Sequence, residues 1–160
     1  MAEWDELPLS TRLFMRAYPW RRIDPVPWSP LVRPLAECRV ALVTSAGLSA
    51  PSDTPFDAAV RGGDPSWRAI PADVELAALV EGHRSESFDP SGIAADRNLA
   101  LPLDRLRELA AAGRIGSVAK HHASFMGSLT AVGRFVRDTA PAIARYLQSD
   151  DVDVVLLVPL

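Results

Sequence analysis

The sequence predicts an α/β domain in which an open parallel sheet carries helices on both faces. Two short apolar segments, at residues 39–46 and 152–158, have the β-branched composition of strands that are buried on both sides. An amphipathic pattern at residues 103–112 predicts a helix between them. Strands that alternate with helices along a chain are typical of a three-layer, Rossmann-like arrangement.

Residues 1–37 differ from the rest and predict an N-terminal arm that precedes an α/β domain at residues 38–160. The arm holds six of the fourteen prolines and three of the four tryptophans. Proline fixes φ and removes a hydrogen-bond donor, so we expect no regular structure beyond a short helix at residues 10–17. Because large aromatic rings are costly to leave in water, the arm should pack on its own domain or on a partner.

The first half of the domain predicts two strands separated by a long loop. Residues 39–46 predict a buried strand that ends in small residues. The loop that follows is rich in Pro, Ser, Asp and Gly, and loops of this length usually serve a site or an interface. Residues 67–71 predict a short strand. Residues 73–81 fit neither the helical nor the strand period, and residues 83–98 predict an irregular polar loop.

A well-defined helix opens the second half. Pro102 suits its first position and Gly113 suits its end, with apolar side chains along one face between them. A short strand at residues 115–119 should follow.

Residues 129–149 are helical by composition, but Pro141 interrupts them and predicts a kink or two helices, the second opening near Thr139. Residues 152–158 are apolar on both faces and predict a central strand of the parallel sheet.

Composition excludes several classes of protein. The net charge of −3 and the scattered arginines argue against a nucleic-acid groove. No apolar run reaches the roughly 18 residues of a membrane span, and Glu3, Asp5 and Glu6 stand where a signal peptide would be basic. We therefore expect a cytoplasmic protein. Cys38 is the single cysteine, which excludes a disulfide scaffold, a zinc ribbon or a Cys-x-x-Cys pair within this chain.

Polar residues near the predicted strand ends form the candidate site, because ligands of open parallel sheets bind beyond the carboxyl ends of the strands. The candidates are Ser45, His83, Ser85, Asp89, His121, His122 and Ser124. They suit the binding of a carboxylate or a proton transfer. The alternative is that these loop residues cap turns and face water.

No metal or dinucleotide site is expected. His121 and His122 are neighbours, which point to opposite sides of an extended segment and do not chelate together. The chain also lacks the G-x-G-x-x-G pattern of dinucleotide binding.

Three stretches carry a resemblance to a known family. They are residues 39–45 with the following loop, residues 98–116, and residues 124–127 together with Ala140-Pro141 and residues 151–159. In their order and spacing the chain resembles the B-type selenoprotein subunits of the glycine/sarcosine/betaine and D-proline reductases. The resemblance covers most of residues 38–160.

The resemblance implies a redox function outside these 160 residues. In that family a strand ending in Val-Pro-hydrophobic precedes a selenocysteine or cysteine, followed by a segment with Pro, Cys, His and Gln. It implies reductive cleavage of a C–N bond in an amino acid or betaine, with a pyruvoyl group on a partner subunit and a thiol or selenol carrier. Selenocysteine is encoded by UGA, which is otherwise read as a stop codon. We therefore expect this chain to be the N-terminal part of such a subunit, ending just before the redox position. This part alone should hold no cofactor and be inactive.

Two other functions remain open from the sequence. One is a complete α/β binding or interaction module without a redox centre. The other is a lyase, isomerase or hydrolase built on His83, Asp89, His121 and Ser124. A truncated reductase subunit predicts an exposed apolar surface beside the last strand and association of the isolated chain into oligomers, whereas a complete module predicts a covered last strand.

Overall fold

The computed structural model describes residues 4–19, 22–57, 59–83 and 89–160, and the chain divides into two compact units, residues 1–30 and 31–160. The first unit contains a single-turn 3-10 helix at Trp4–Glu6 and a helix, α1, at Leu9–Ala17, which confirms the predicted short helix. None of the helices in the described ranges is long and apolar enough to cross a membrane.

The second unit contains seven strands and three α-helices among its described residues. The strands are β1 (Arg39–Thr44), β2 (Leu48–Ser49), β3 (Trp67–Pro71), β4 (Val80–Glu81), β5 (Ser117–Val118), β6 (His121–Phe125) and β7 (Val154–Val158). The helices are α2 (Ser91–Ala95), α3 (Leu103–Ala111) and α4 (Ala140–Gln148). Short 3-10 helices lie at Leu35–Glu37, Leu76–Ala78 and Arg97–Leu99, and a π-helical turn at Phe135–Thr139 leads into α4.

β1 is the centre of the main sheet. β7 pairs with it in parallel from Val40↔Val154 to Thr44↔Val158 and so occupies one whole edge of β1. β5 and β6 share the other edge, also in parallel, and β3 pairs with β6 in antiparallel orientation. The sheet is therefore mostly parallel, as predicted, with one antiparallel strand that the sequence did not indicate. β2 and β4 form a separate two-stranded antiparallel sheet.

Helices cover both faces of the sheet, which confirms the predicted three layers. Successive side chains of a strand point to opposite faces, so β1 contributes to two cores. One core joins the β1 side chains Val40 and Leu42 to the α3 side chains Leu103 and Leu106. The other joins Ala41 and Val43 to the α4 side chains Ile143 and Leu147.

β7 corrects the prediction of a buried central strand. Within the described part of the chain it pairs only with β1, and Val155, Leu156 and Leu157 are 38%, 48% and 68% exposed. An apolar composition indicates that a strand is suited to burial, but burial itself needs neighbours on both edges and faces. The result is an exposed apolar surface beside the last strand.

Four segments form elements that the sequence did not predict. The segment that starts at Lys120 contains β6, where the polar side chains of His122 and Ser124 hide the apolar pattern of a buried strand. The predicted polar loop at residues 83–98 contains α2 and a 3-10 turn. β2 and β4 have two residues each, which is too short to show the alternation of apolar and polar residues that indicates a strand. The second of the two late helices does begin where Pro141 predicts, with Thr139 as the residue before it.

Candidate active site at the carboxyl edge of the sheet

The carboxyl ends of β1, β6 and β7 meet at one edge of the sheet and enclose a cavity. Its volume is about 270 Å³, and Ser45, Phe125, Gly127, Leu157 and Leu160 are among the residues that line it. The chain after β1 leads to β3 on the far side of β6, whereas the chain after β6 crosses over through α4 to β7 on the far side of β1. The cavity therefore lies where connections leave neighbouring strands in opposite directions, which is the usual ligand position in open α/β sheets.

Ser45 ties the end of β7 to the end of β1. Its hydroxyl oxygen accepts a hydrogen bond from the Leu160 N–H at 2.8 Å and donates one to the Leu160 carbonyl at 3.2 Å. Its backbone N–H donates to the Val158 carbonyl at 3.1 Å. These three bonds fix the direction in which residues 158–160 leave the sheet. The structure thus brings this predicted residue to the expected edge.

Gly127 is a site residue that sequence reasoning did not identify. Its N–H donates to the Ser45 carbonyl at 2.8 Å, and the neighbouring pair Ala46 and Met126 forms an isolated bridge. A Cβ atom at position 127 would lie 3.0 Å from both the Cβ and the carbonyl oxygen of Ser45. A side chain at this close approach would require Ser45 to shift by a few tenths of an ångström, so glycine suits the position, and a lone glycine near a strand end was the available signal.

Ser124 and His83 lie near the turn after β1. Ser124 is fully buried, and its hydroxyl accepts the Leu48 N–H at 2.7 Å, so it fixes the chain just beyond the edge. The backbone of His83 lies against Gly47, whose φ is +67° and whose added Cβ would be 3.3 Å from the His83 nitrogen. The His83 N–H donates to the Glu81 carboxylate. Partial burial lowers the pKa of His83, and the Glu81 charge opposes that shift.

His121 and His122 lie inside β6, which follows the short strand β5, so the prediction that they belong to the carboxyl edge is wrong. β6 starts at His121 and runs parallel to β1, which puts this residue at the amino end of the strand. The His121 N–H donates to Asp150 Oδ2 at 3.1 Å, and its ring lies 5.3 Å from that of Tyr146, measured between centroids.

His122 is part of the core and not of a site. It is fully buried, and its Nδ1 accepts the Leu42 N–H at 3.1 Å, which fixes the neutral tautomer with the proton on Nε2. Burial, together with the positive charge of Arg107, lowers its pKa to about 4. Within the described residues its Nε2 has no hydrogen-bond partner.

Asp89 caps a turn, which was the alternative role considered for the loop residues. Its carboxylate accepts the Ser91 N–H at 2.9 Å at the start of α2, and this hydrogen bond lowers the pKa of Asp89. Ser85 lies outside the described residues. The seven predicted residues thus do not converge: the structure assigns Ser45 to the cavity, Ser124 and His83 to its surroundings, and the other described residues elsewhere.

Among the described residues, neither a metal cluster nor a thiol completes this edge. Across those ranges, no three His, Cys, Asp or Glu side chains lie closely enough to hold a metal ion. Cys38 precedes β1 at the opposite, amino end of the sheet, where it is buried. Burial raises the pKa of its thiol, so it is a structural residue and a poor nucleophile.

Comparison with known families identifies the scaffold. The model of the family described as glycine/sarcosine/betaine reductase selenoprotein B matches residues 8–159. The chain belongs to this family. The match includes Ser45 and all of the residues that line the cavity except Leu160.

Relatives within the selenoprotein B family come from reductase complexes. The chain is 37% identical over 136 residues to the D-proline reductase subunit gamma of Acetoanaerobium sticklandii, with 84% of this chain and 54% of that protein covered. It is 31% identical to the glycine reductase complex component B subunit gamma of Symbiobacterium thermophilum, with 88% and 32% covered. It is 30% identical to the sarcosine reductase complex component B subunit beta of Peptoclostridium acidaminophilum, with 93% and 34% covered.

The chain thus spans about half the length of the first of these relatives and about a third of the other two. All three names describe subunits, so these relatives work within assemblies that contain further chains. No solved structure matches the chain.

Proposed function

We propose that this chain is the N-terminal part of a B-type subunit of a glycine/sarcosine/betaine/D-proline-type reductase, which reductively cleaves a C–N bond of an amino acid or betaine. The observation that carries the proposal is the selenoprotein B match over residues 8–159. The C–N bond breaks with two electrons and two protons: one proton goes to the nitrogen, which becomes the amine, and the carbon gains a hydrogen in place of the nitrogen. A dithiol that becomes a disulfide supplies the electrons.

The redox residue of the proposed enzyme follows Leu160 as a selenocysteine or cysteine. The cavity of about 270 Å³ beside Leu160 and the small residues Ser45 and Gly127 leave space for such a side chain and a small substrate. A selenolate or thiolate at that position would supply a nucleophile that is ionised near neutral pH. A side chain of this kind is absent from the edge within the described residues, since Cys38 lies at the other end of β1.

The residues of this chain hold the reacting segment in place. Ser45 binds both backbone polar groups of Leu160, so it is a positioning residue for whatever follows. Gly127 lets β6 approach Ser45 closely enough to support that arrangement. The proposed partners are a subunit with a pyruvoyl group, which activates the substrate nitrogen, and a thiol or selenol carrier. The names of the relatives as subunits of reductase complexes support the presence of partner chains.

A complete binding module without a redox centre fits the structure less well. Such a module predicts a last strand covered by its own fold. In the described part of the chain, Leu156 and Leu157 are instead 48% and 68% exposed on β7.

The gene itself tests the proposal. We expect the codon after that of Leu160 to be an in-frame UGA or a cysteine codon, with codons for Pro, Cys, His and Gln shortly after it. A UAA or UAG codon at that position, or no such reading frame beyond a UGA, would contradict the proposal. The protein produced through that position with a cysteine codon should then release ammonia or an amine from glycine, sarcosine or betaine, or open the ring of D-proline, assayed one by one with the partner subunits and a dithiol.

A further inference from the structure

An apolar groove runs along the side of β7 that faces α4. Its volume is about 390 Å³, and its walls include Val155 and Leu157 from β7, Phe135 from the π-helical turn, and Ala140 and Ala144 from α4. Every residue that lines it is apolar. A groove of this kind favours the apolar face of another element and not a polar ligand.

The free edge of β7 adjoins this groove. In the described residues β7 pairs only with β1, so one row of its backbone N–H and carbonyl groups has no strand partner. A flat, apolar edge strand of five residues is a template for pairing with another strand. Among the described residues, the groove therefore has no helix that covers it, and the edge has no strand that pairs with it.

The topology indicates on which face of the sheet a helix that follows β7 would lie. The crossover from β6 to β7 advances past β1 to its other edge, with α4 on the face of Ala41 and Val43. Parallel crossovers share one hand, so a reversal of direction also reverses the face. A further crossover from β7 outward continues the direction of β6 to β7, and its helix must lie on the α4 face.

We propose that the groove between α4 and β7 is the docking surface for a helix of the same polypeptide beyond residue 160, and that the strand after this helix pairs with the free edge of β7. This inference rests on the proposed function, since it needs a longer subunit. The relatives are long enough to supply both elements, because the chain covers only 54% of one and 32% of another. The face that the handedness rule selects is also the face that carries the apolar groove.

Cysteine accessibility tests the proposal in two forms of the protein. Cys38 is fully buried and its thiol pKa is raised by that burial, so an introduced cysteine can be followed against a silent background. The test variant is Leu157→Cys in the groove. The matched control is Leu109→Cys, at a position that is 42% exposed on α3 across the sheet. Both are made in residues 1–160 and in the protein produced through its downstream frame, with the redox residue replaced by serine.

Alkylation at each position is then read by peptide mass. We expect the introduced thiol of Leu157→Cys to react readily in the 160-residue chain and about tenfold or more slowly in the longer protein. The introduced thiol of Leu109→Cys should react alike in both. Equal reactivity of position 157 in the two forms would overturn the proposal while leaving the proposed function intact.

Two further outcomes would also overturn the proposal. Slow reaction of Leu157→Cys in both forms, together with a dimer mass of the longer protein by light scattering, would assign the edge to a second copy. A gene with no reading frame after Leu160 would remove the occupant and the proposed function together, and that result comes from the DNA alone.

Discussion

β1 and β7 are adjacent parallel strands of nearly the same composition and opposite exposure. β1 reads Arg-Val-Ala-Leu-Val-Thr and β7 reads Val-Val-Leu-Leu-Val, and Leu42 pairs directly with Leu156. Leu42 is fully buried whereas Leu156 is 48% exposed. β1 has strands on both edges and helices on both faces, but β7 has one strand neighbour among the described residues. The difference teaches that neighbours, and not composition, determine burial in this sheet.

The largest expected effect comes from truncating the paired leucines one at a time. Leu42→Ala should lower the free energy of unfolding by about 3 kcal/mol, because it removes a fully buried side chain and leaves a cavity. Leu156→Ala should lower it by less than about 1 kcal/mol in the 160-residue chain, because nearly half of that side chain is already in water. Urea denaturation measures both, and equal losses would contradict the assignment of β7 to the edge.

The next effect is the loss of stability in acid that follows from the burial of His122 beside β1. Its folded pKa of about 4 lies below the ordinary value of 6.5, so the unfolded chain binds the proton more tightly. The free energy of unfolding should therefore fall as the pH drops from about 6.5 to about 4, by up to about 3 kcal/mol. Urea melts across this range measure the slope.

Two variants serve as controls for that slope. His122→Asn keeps an acceptor for the Leu42 N–H but does not titrate, so its stability should change much less over the same range. Ser149→Ala removes a hydroxyl that does not titrate in this range, so it should keep the slope of the parent protein. An equally steep slope in His122→Asn would show that other groups cause the acid effect.

A smaller effect is expected where the ends of the two strands meet. Ser45→Ala removes the hydroxyl that bonds Leu160 and should cost about 1 kcal/mol. Amide exchange of a peptide covering residues 158–160 should accelerate in this variant. Ser149→Ala, which loses a hydroxyl bond to the Tyr146 carbonyl at the end of α4, should leave that peptide unchanged. Unchanged exchange in Ser45→Ala would mean that Ser45 does not position the strand end.

The smallest effect concerns the exposed face of β7. Leu157→Lys should change the stability of the 160-residue chain by less than about 0.5 kcal/mol, because this side chain is 68% exposed. Light scattering should show less self-association, since a charged edge resists strand pairing. In the longer protein the same substitution should be destabilising. A large loss in the short chain would indicate that Leu157 already packs against another element.

The sequence predicted the elements whose patterns are local. The short strand at Trp67–Pro71 and the helix between Pro102 and Gly113 follow from composition and end signals, and the structure confirms both. β6 was missed because His122 and Ser124 look polar in sequence, although each satisfies a backbone N–H from a neighbouring strand. Those bonds join residues 80 and 76 positions apart, and no local pattern records them.

The same limit applies to the candidate site. Ser45 was identified from the sequence because it follows a predicted parallel strand, and ligands of open parallel sheets bind beyond the carboxyl ends of such strands. His121 and Asp89 were grouped with it by residue type, but their partners Asp150 and Ser91 serve a turn and a helix start. Gly127 shows its importance only when β1 and β6 lie side by side.

Amide hydrogen exchange across β1 and β7, in the 160-residue chain and in the longer protein, tests most directly whether the exposure of β7 reflects a missing neighbour. In the short chain, peptides covering Val154–Val158 should exchange much faster than peptides covering Arg39–Thr44. In the longer protein the two strands should be protected to a similar degree. Fast exchange of β7 in both forms would contradict the account.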